Sequence, residues 1–254
     1  MVLDITVERF ALIFFRIFSI LWLLPIFTSR AVSIPFKAGL ALILSYLALD
    51  YAGLPQDRAL EAHILFVLVI KEIFIGLAIS FVIRLLFMMI YAASELAAFQ
   101  TGFSFARFMD PLTMTQISVL EQFKNILAIM VFFSMDCHHA IIKGMFLSFK
   151  EIPLGYMALN SNLFNYLITS TGKIFSVGLK ISAPITVTLF IVELSLGLLS
   201  RLIPQINVFI EGLPVKILIT MVVLSLSLGI TVTAIAGIFG GIESEFTKII
   251  RLLV

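Results

Sequence analysis

Residues 217–242, ILITMVVLSLSLGITVTAIAGIFGGI, contain no Asp, Glu, Lys, Arg or His. A helix needs about 20 predominantly apolar residues to cross a bilayer, and this run is longer than that. Within it Ser225, Gly229, Thr233, Gly237 and Gly241 recur at every fourth position. Positions four apart lie on one slowly drifting helical face, and small side chains there admit a second helix at close range. The stretch therefore reads as a membrane helix with a packing face. It sets the fold class as all-α, a membrane-associated protein of long helical hairpins.

Working outward, five more apolar runs precede it, at residues 10–27, 38–54, 63–99, 117–135 and 174–200. By hydropathy the chain has about six spans. Composition agrees, because 61% of the 254 residues are hydrophobic and only 13% charged, against about half and about a quarter in soluble domains. With a mean hydropathy of +1.16, a soluble globule would carry more apolar surface than it could hide. Lipid or partner chains must cover the excess. The net charge of +2 comes without an arginine-rich run, which argues against a nucleic acid partner. A single cysteine, Cys137, excludes an internal disulfide framework and a multi-cysteine zinc site. The first apolar run has neither a basic n-region nor an Ala-x-Ala site, so it reads as mature structure rather than a leader. Turn formers cluster at residues 53–58 and 152–162, and the second cluster is the expected boundary between an N-terminal region, 1–158, and a C-terminal region, 159–254.

The runs are not uniformly greasy. Arg16, Lys71, Glu72, Arg84, Glu95, Glu121, Lys124, Lys180 and Glu193 lie within or beside them, and Arg201 follows the fifth. A charge at the bilayer centre costs about 2.5–3.5 kcal/mol even on the lenient insertion scale. These groups are therefore expected to meet a partner subunit, a water-filled space or the headgroups. Residues 63–99 as one helix would reach about 55 Å at 1.5 Å per residue, beyond the roughly 30 Å hydrocarbon thickness. Either the run breaks near Lys71 and Glu72 or near Gly76, or it rises beyond the bilayer.

Residues 99–115, FQTGFSFARFMDPLTMT, read differently. Pro111 disfavours helical backbone at Asp110, so a loop or broken helix is expected from Gly102 to Met114. Irregular backbone survives at membrane depth only where protein buries it or a cavity adjoins it. Phe103, Phe105, Phe108, Met109 and Met114 suit either a pore plug or a loop dipping into lipid, and physics leaves the two open. Asp136, Cys137, His138 and His139 form the only cluster of metal-ligand types. Neighbouring helical positions point about 100° apart, so the histidines lack the i, i+4 chelating geometry. No metal site, cofactor or catalytic motif is expected. Rival readings are a secondary transporter coupled through Lys180, Glu193 and Glu95, and a membrane enzyme using His138 and His139.

Several segments together resemble the FliR/SctT family, the type III export-gate proteins of flagella and injectisomes. They are Phe15-Arg16 with Leu24-Pro25-Ile26-Phe27, then Val32-Ser33-Ile34-Pro35-Phe36-Lys37, Lys71-Glu72 with Gly76, and Gln100-Thr101-Gly102 through Met109-Asp110-Pro111. His138-His139, Ser148-Phe149 and Ile152-Pro153-Leu154-Gly155 follow, and the strongest run is Arg201-Leu202-Ile203-Pro204-Gln205-Ile206-Asn207-Val208-Phe209, closing at Gly212-Leu213-Pro214-Val215-Lys216. The resemblance implies assembly with FliP-type and FliQ-type subunits and an FlhB-type protein in the bacterial inner membrane, at the flagellar basal body. It implies a FliP-like N-terminal part, a FliQ-like C-terminal part, and a passage for unfolded export substrates. It also implies that the loop from Gly102 to Met114 projects into that passage. Arg107 and Asp110 would anchor the loop by polar contacts. The stretch from His138 to Phe149 looks more flagellar than virulence-type.

Overall fold

A computed structural model describes residues 2–28, 32–52, 62–102, 118–157, 161–203, 205 and 208–254. Among the described residues the secondary structure is helical throughout, without strands. In chain order the helices are α1 (Val2–Leu23), α2 (Pro25–Thr28), α3 (Ile34–Ala48), α4 (Ala62–Thr101), α5 (Val119–Ser134), α6 (Cys137–Glu151), α7 (Ser161–Leu202), α8 (Val208–Phe239) and α9 (Ile242–Leu253).

Fewer helices among the described residues meet the length and composition of a span than the six apolar runs of the sequence suggest. Among the described residues, His63–Thr101, Ser161–Leu202 and Glu211–Leu253 are long and apolar enough to cross a membrane, and the bent pair α5 and α6 raises the number to four. Helix α3 has 15 residues, about 22 Å at 1.5 Å per residue, which falls short of the hydrocarbon core. It packs on α1 through Lys37, Ala41, Ser45 and Ala48, the buried residues of this helix, while Leu42, Ile43, Tyr46 and Leu47 stay exposed. Residues 63–99, by contrast, form part of one unbroken helix of 40 residues. Gly76 does not interrupt it. A Cβ there would strike Ser19 Oγ and lie 2.5 Å from the Arg16 carbonyl oxygen, so this glycine lets α1 and α4 touch.

The chain divides into two compact units that do not follow chain order: Met1–Leu86, Asp136–Thr171 and Phe239–Val254 form one, Phe87–Met135 and Gly172–Ile238 the other. In the first, α1 buries Leu12, Ile13, Ile17 and Ile20, the spacing of one helical face. Arg9 donates to the carbonyls of Leu49, the C-cap of α3, and of Ala52 in the turn that follows. Helix α9 buries Ile242, Phe246, Ile249, Ile250 and Leu253 and packs on α6, with Phe246 seated where a Cβ on Gly144 would intrude at 2.5 Å. The expected turn after α6 is present: Tyr156 N–H donates to the Pro153 carbonyl at 3.1 Å, and Gly155 has φ +78°, a region open to glycine.

The second unit has a core of Ala97, Ala98, Leu120, Ile185 and Leu189, with Ile219, Val223 and Leu224 packed against it. It therefore gathers the end of α4, the start of α5, and the middles of α7 and α8. Small residues bring the backbones together, since a Cβ on Gly178 would lie 3.2 Å from Ala92 Cβ and 3.3 Å from the Ala93 nitrogen. Helix α7 continues through Pro184, which removes one backbone donor.

Candidate gate frame and assembly surface

The buried charges are received inside the chain more often than their sequence positions led us to expect. Arg16 and Glu72 are both fully buried. Nε and Nη2 of Arg16 donate to the two carboxylate oxygens of Glu72, the bidentate geometry in which Arg pairs best. Nη1 donates to the carbonyls of Ser148 at 3.0 Å and Ile152 at 3.1 Å, and the guanidinium lies 4.6 Å from the Phe149 ring centre. Glu72 Oε1 also accepts from Gly155 N–H at 2.7 Å, and Lys71 Nζ donates to the Gly155 carbonyl at 3.4 Å. One ion pair thus holds α1, α4, α6 and the following turn. The chain itself supplies every contact just named to Arg16 and Glu72.

Glu121 and Lys124, also expected at an interface, are each 1% exposed within this chain. Glu121 belongs to the start of α5. Ser118 Oγ accepts from Glu121 N–H, and Glu121 Oε2 accepts from Ser118 N–H, both at 3.2 Å. This is a capping box, and its Ser-x-x-Glu signature was present in the sequence unread. Among the described residues Lys124 Nζ has no hydrogen-bond partner. Arg84 and Glu95 are half-buried on α4, and Lys180, Glu193 and Arg201 are exposed on α7. Glu193 pairs with Lys216 of α8 at 2.6 Å, a partner that sequence reasoning missed.

The expected plug has its two ends in the second unit. Phe103, Phe105, Arg107, Phe108, Met109, Asp110, Pro111 and Met114 lie outside the described residues. Gly102 is described: its φ of +88° turns the chain out of α4, and its N–H donates to the Phe99 carbonyl at 3.3 Å. Beside it Thr101 is fully buried, and Thr220 Oγ1 of α8 donates to Thr101 Oγ1 at 3.3 Å. At the other end stands the Ser118 capping box, one residue before Val119 and two before the core residue Leu120. Gly102 and Ser118, on either side of the expected plug, therefore both belong to one compact unit.

Helices α7 and α8 leave much apolar surface open. Phe175, Phe190, Leu198, Leu218, Leu226 and Ile230 are all exposed. The most apolar window of α4 has 61% of its residues buried, against 22% and 17% for the windows of Ser161–Leu202 and Glu211–Leu253. The small-residue row lies on this open side, with Ser225, Gly229, Thr233 and Gly237 exposed and Gly241 half-buried. A Cβ on Gly229 or Gly237 would meet nothing within 4 Å. The hydroxyls of Ser225 and Thr233 are satisfied by their own helix, at the carbonyls of Met221 and Gly229, so the row presents methyl, methylene and backbone surface.

The family described as "Bacterial export proteins, family 1" matches residues 7–242. Proteins named flagellar biosynthetic protein FliR are similar over most of their length. That of Bacillus subtilis (strain 168) is 29% identical over 233 residues, covering 91% of this chain and 90% of its own. The Aquifex aeolicus (strain VF5) protein is 33% identical over 225 residues, 87% and 85% of the two chains. The protein of Pectobacterium carotovorum is 32% identical over 222 residues, again 87% and 85%.

Proposed function

The chain belongs to family 1 of the bacterial export proteins, a membrane subunit of the flagellar export apparatus, and from that premise we propose that it forms part of the gate. In this reading it joins FliP-type and FliQ-type subunits, with an FlhB-type protein alongside, in the inner membrane. Together they enclose the channel that passes unfolded flagellar proteins. The regions 1–158 and 159–254 contribute the FliP-like and FliQ-like parts of that assembly. The chain supplies passage and closure, and its residues carry no catalytic step.

The observation that carries the reading is the frame around the loop. A plug must resist being pushed aside, so its ends need rigid supports. The Thr101–Thr220 contact at 3.3 Å, the left-handed turn at Gly102 and the capping box at Ser118 supply them. Between those supports the sequence offers Phe103, Phe105, Phe108, Met109 and Met114, bulky and adaptable side chains suited to sealing a passage by apolar contact. Arg107 and Asp110 hold the loop by polar contacts. The open sides of α7 and α8, including the row from Ser225 to Gly241, receive neighbouring subunits and lipid.

Deleting residues 103–114, in cells that also make the FliP-type and FliQ-type chains, tests this directly. The deletion makes the membrane permeable to small solutes, read as dye uptake or growth inhibition. A tight membrane with the deleted chain assembled in normal amount would overturn the plug assignment. Co-purification of the intact chain with both partner types from native membranes tests the assembly.

A further inference from the structure

The start of α6 gathers the one cluster of metal-ligating side chains found among the described residues, Asp136, His138 and His139. On an ideal helix neighbouring side chains diverge by about 100°, which counted against chelation in the sequence. The structure departs from that expectation. The His138 and His139 rings lie together, with centres 4.1 Å apart and planes inclined by 36°. Asp136 has φ 54°, the only positive φ outside glycine among the described residues. An aspartate at a helix N-cap ordinarily turns its carboxylate onto the free N–H groups of the first turn. Asp136 makes no such bond. Its Oδ1 instead lies 3.4 Å from His139 Nδ1.

That spacing is informative. Two ligands on a tetrahedral zinc ion, each bonded at about 2.0–2.2 Å, stand roughly 3.4 Å from one another. One donor atom from each of the three residues lies within 4.8 Å of the others, so rotation of the His138 ring completes the set. Two imidazoles and a carboxylate are the donors of open zinc sites, where water takes the remaining position. Asp136 and His139 have side chains 74% and 62% exposed, so an ion has access from water.

We propose that Asp136, His138 and His139 bind one divalent transition ion of the Zn²⁺ class, through two imidazole nitrogens and one carboxylate oxygen. The ion ties the left-handed corner residue to the first turn of α6. Cobalt reports the site, because its visible bands distinguish tetrahedral from octahedral coordination. The full chain, purified in detergent and stripped with a chelator, is titrated with Co²⁺ and then with Zn²⁺. One Co²⁺ per chain gives tetrahedral-type bands, and Zn²⁺ bleaches them. Asp136→Asn weakens binding by at least about tenfold, since loss of an outer-shell partner alone costs about that much and Asp136 is a direct ligand. His138→Gln combined with His139→Gln removes the bands, and His63→Gln retains them. Asparagine tolerates positive φ as aspartate does, so Asp136→Asn keeps the corner intact and decides the question even if the double variant does not fold. Absence of the bands in the parent chain would overturn the site. So would a loss of less than tenfold in Asp136→Asn, which would reduce the cluster to adventitious chelation by surface histidines.

Discussion

At the scale of single residues, the fully buried cations Arg16 and Lys124 behave oppositely. Arg16 is answered by Glu72, two carbonyls and a ring, whereas Lys124 has no hydrogen-bond partner among the described residues. Glu72→Gln leaves the guanidinium buried without its counter-charge, which destabilises the fold by about 3–5 kcal/mol. Denaturant titration in detergent measures the loss, and combining Glu72→Gln with Arg16→Met recovers a large part of it. Lys124→Met acts the other way. It removes a buried amino group that has no hydrogen-bond partner among the described residues, and stabilises the chain by about 1–3 kcal/mol in the same titration. The positions of both charges in apolar runs were legible in the sequence, as was the need for something to receive them. What receives Arg16 was not, because Glu72 is 56 residues away and Ser148 and Ile152 contribute backbone carbonyls, which carry no residue signature.

At the scale of elements, apolar periodicity identified the long helices and failed at their limits. Helix α3 reads like a span and is too short to be one. Helix α4 was expected to have a possible break near Gly76 and has none, because that glycine serves a close contact with α1, and contacts between distant segments leave no local trace. The capping box at the start of α5 was legible, being written in four consecutive residues. Ser118→Ala removes it and costs about 0.5–2 kcal/mol, concentrated in the first turn. Hydrogen exchange should quicken at the amides of residues 120–122 and stay unchanged in the second half of α5. Under the proposed plug role, the same substitution is expected to raise solute leak in assembled complexes.

At the scale of the whole molecule, composition announced uncovered apolar surface, and among the candidate spans the structure leaves the windows of Ser161–Leu202 and Glu211–Leu253 the least buried. Gly237→Leu separates the demands of the isolated chain from those of an assembly. The position has open space around it, and leucine is a better helix former than glycine by close to 1 kcal/mol. The purified chain therefore keeps or slightly gains stability. A bulky side chain at the centre of a small-residue face prevents close helix approach, so yield of the complex with FliP-type and FliQ-type chains falls, measured by co-purification. Unchanged yield would remove this row from the interface. The row itself was visible from the four-residue spacing, but its partner was not, because small residues say how near a neighbour comes and nothing about which neighbour it is.

The thin coverage of α7 and α8 has a consequence for how the cell must handle this polypeptide. On the proposed assembly, a copy synthesised ahead of its companions leaves to lipid alone the flanks that would otherwise be shared with them. Its abundance is then expected to follow the supply of those companions, and overexpression of this chain alone is expected to raise turnover rather than yield.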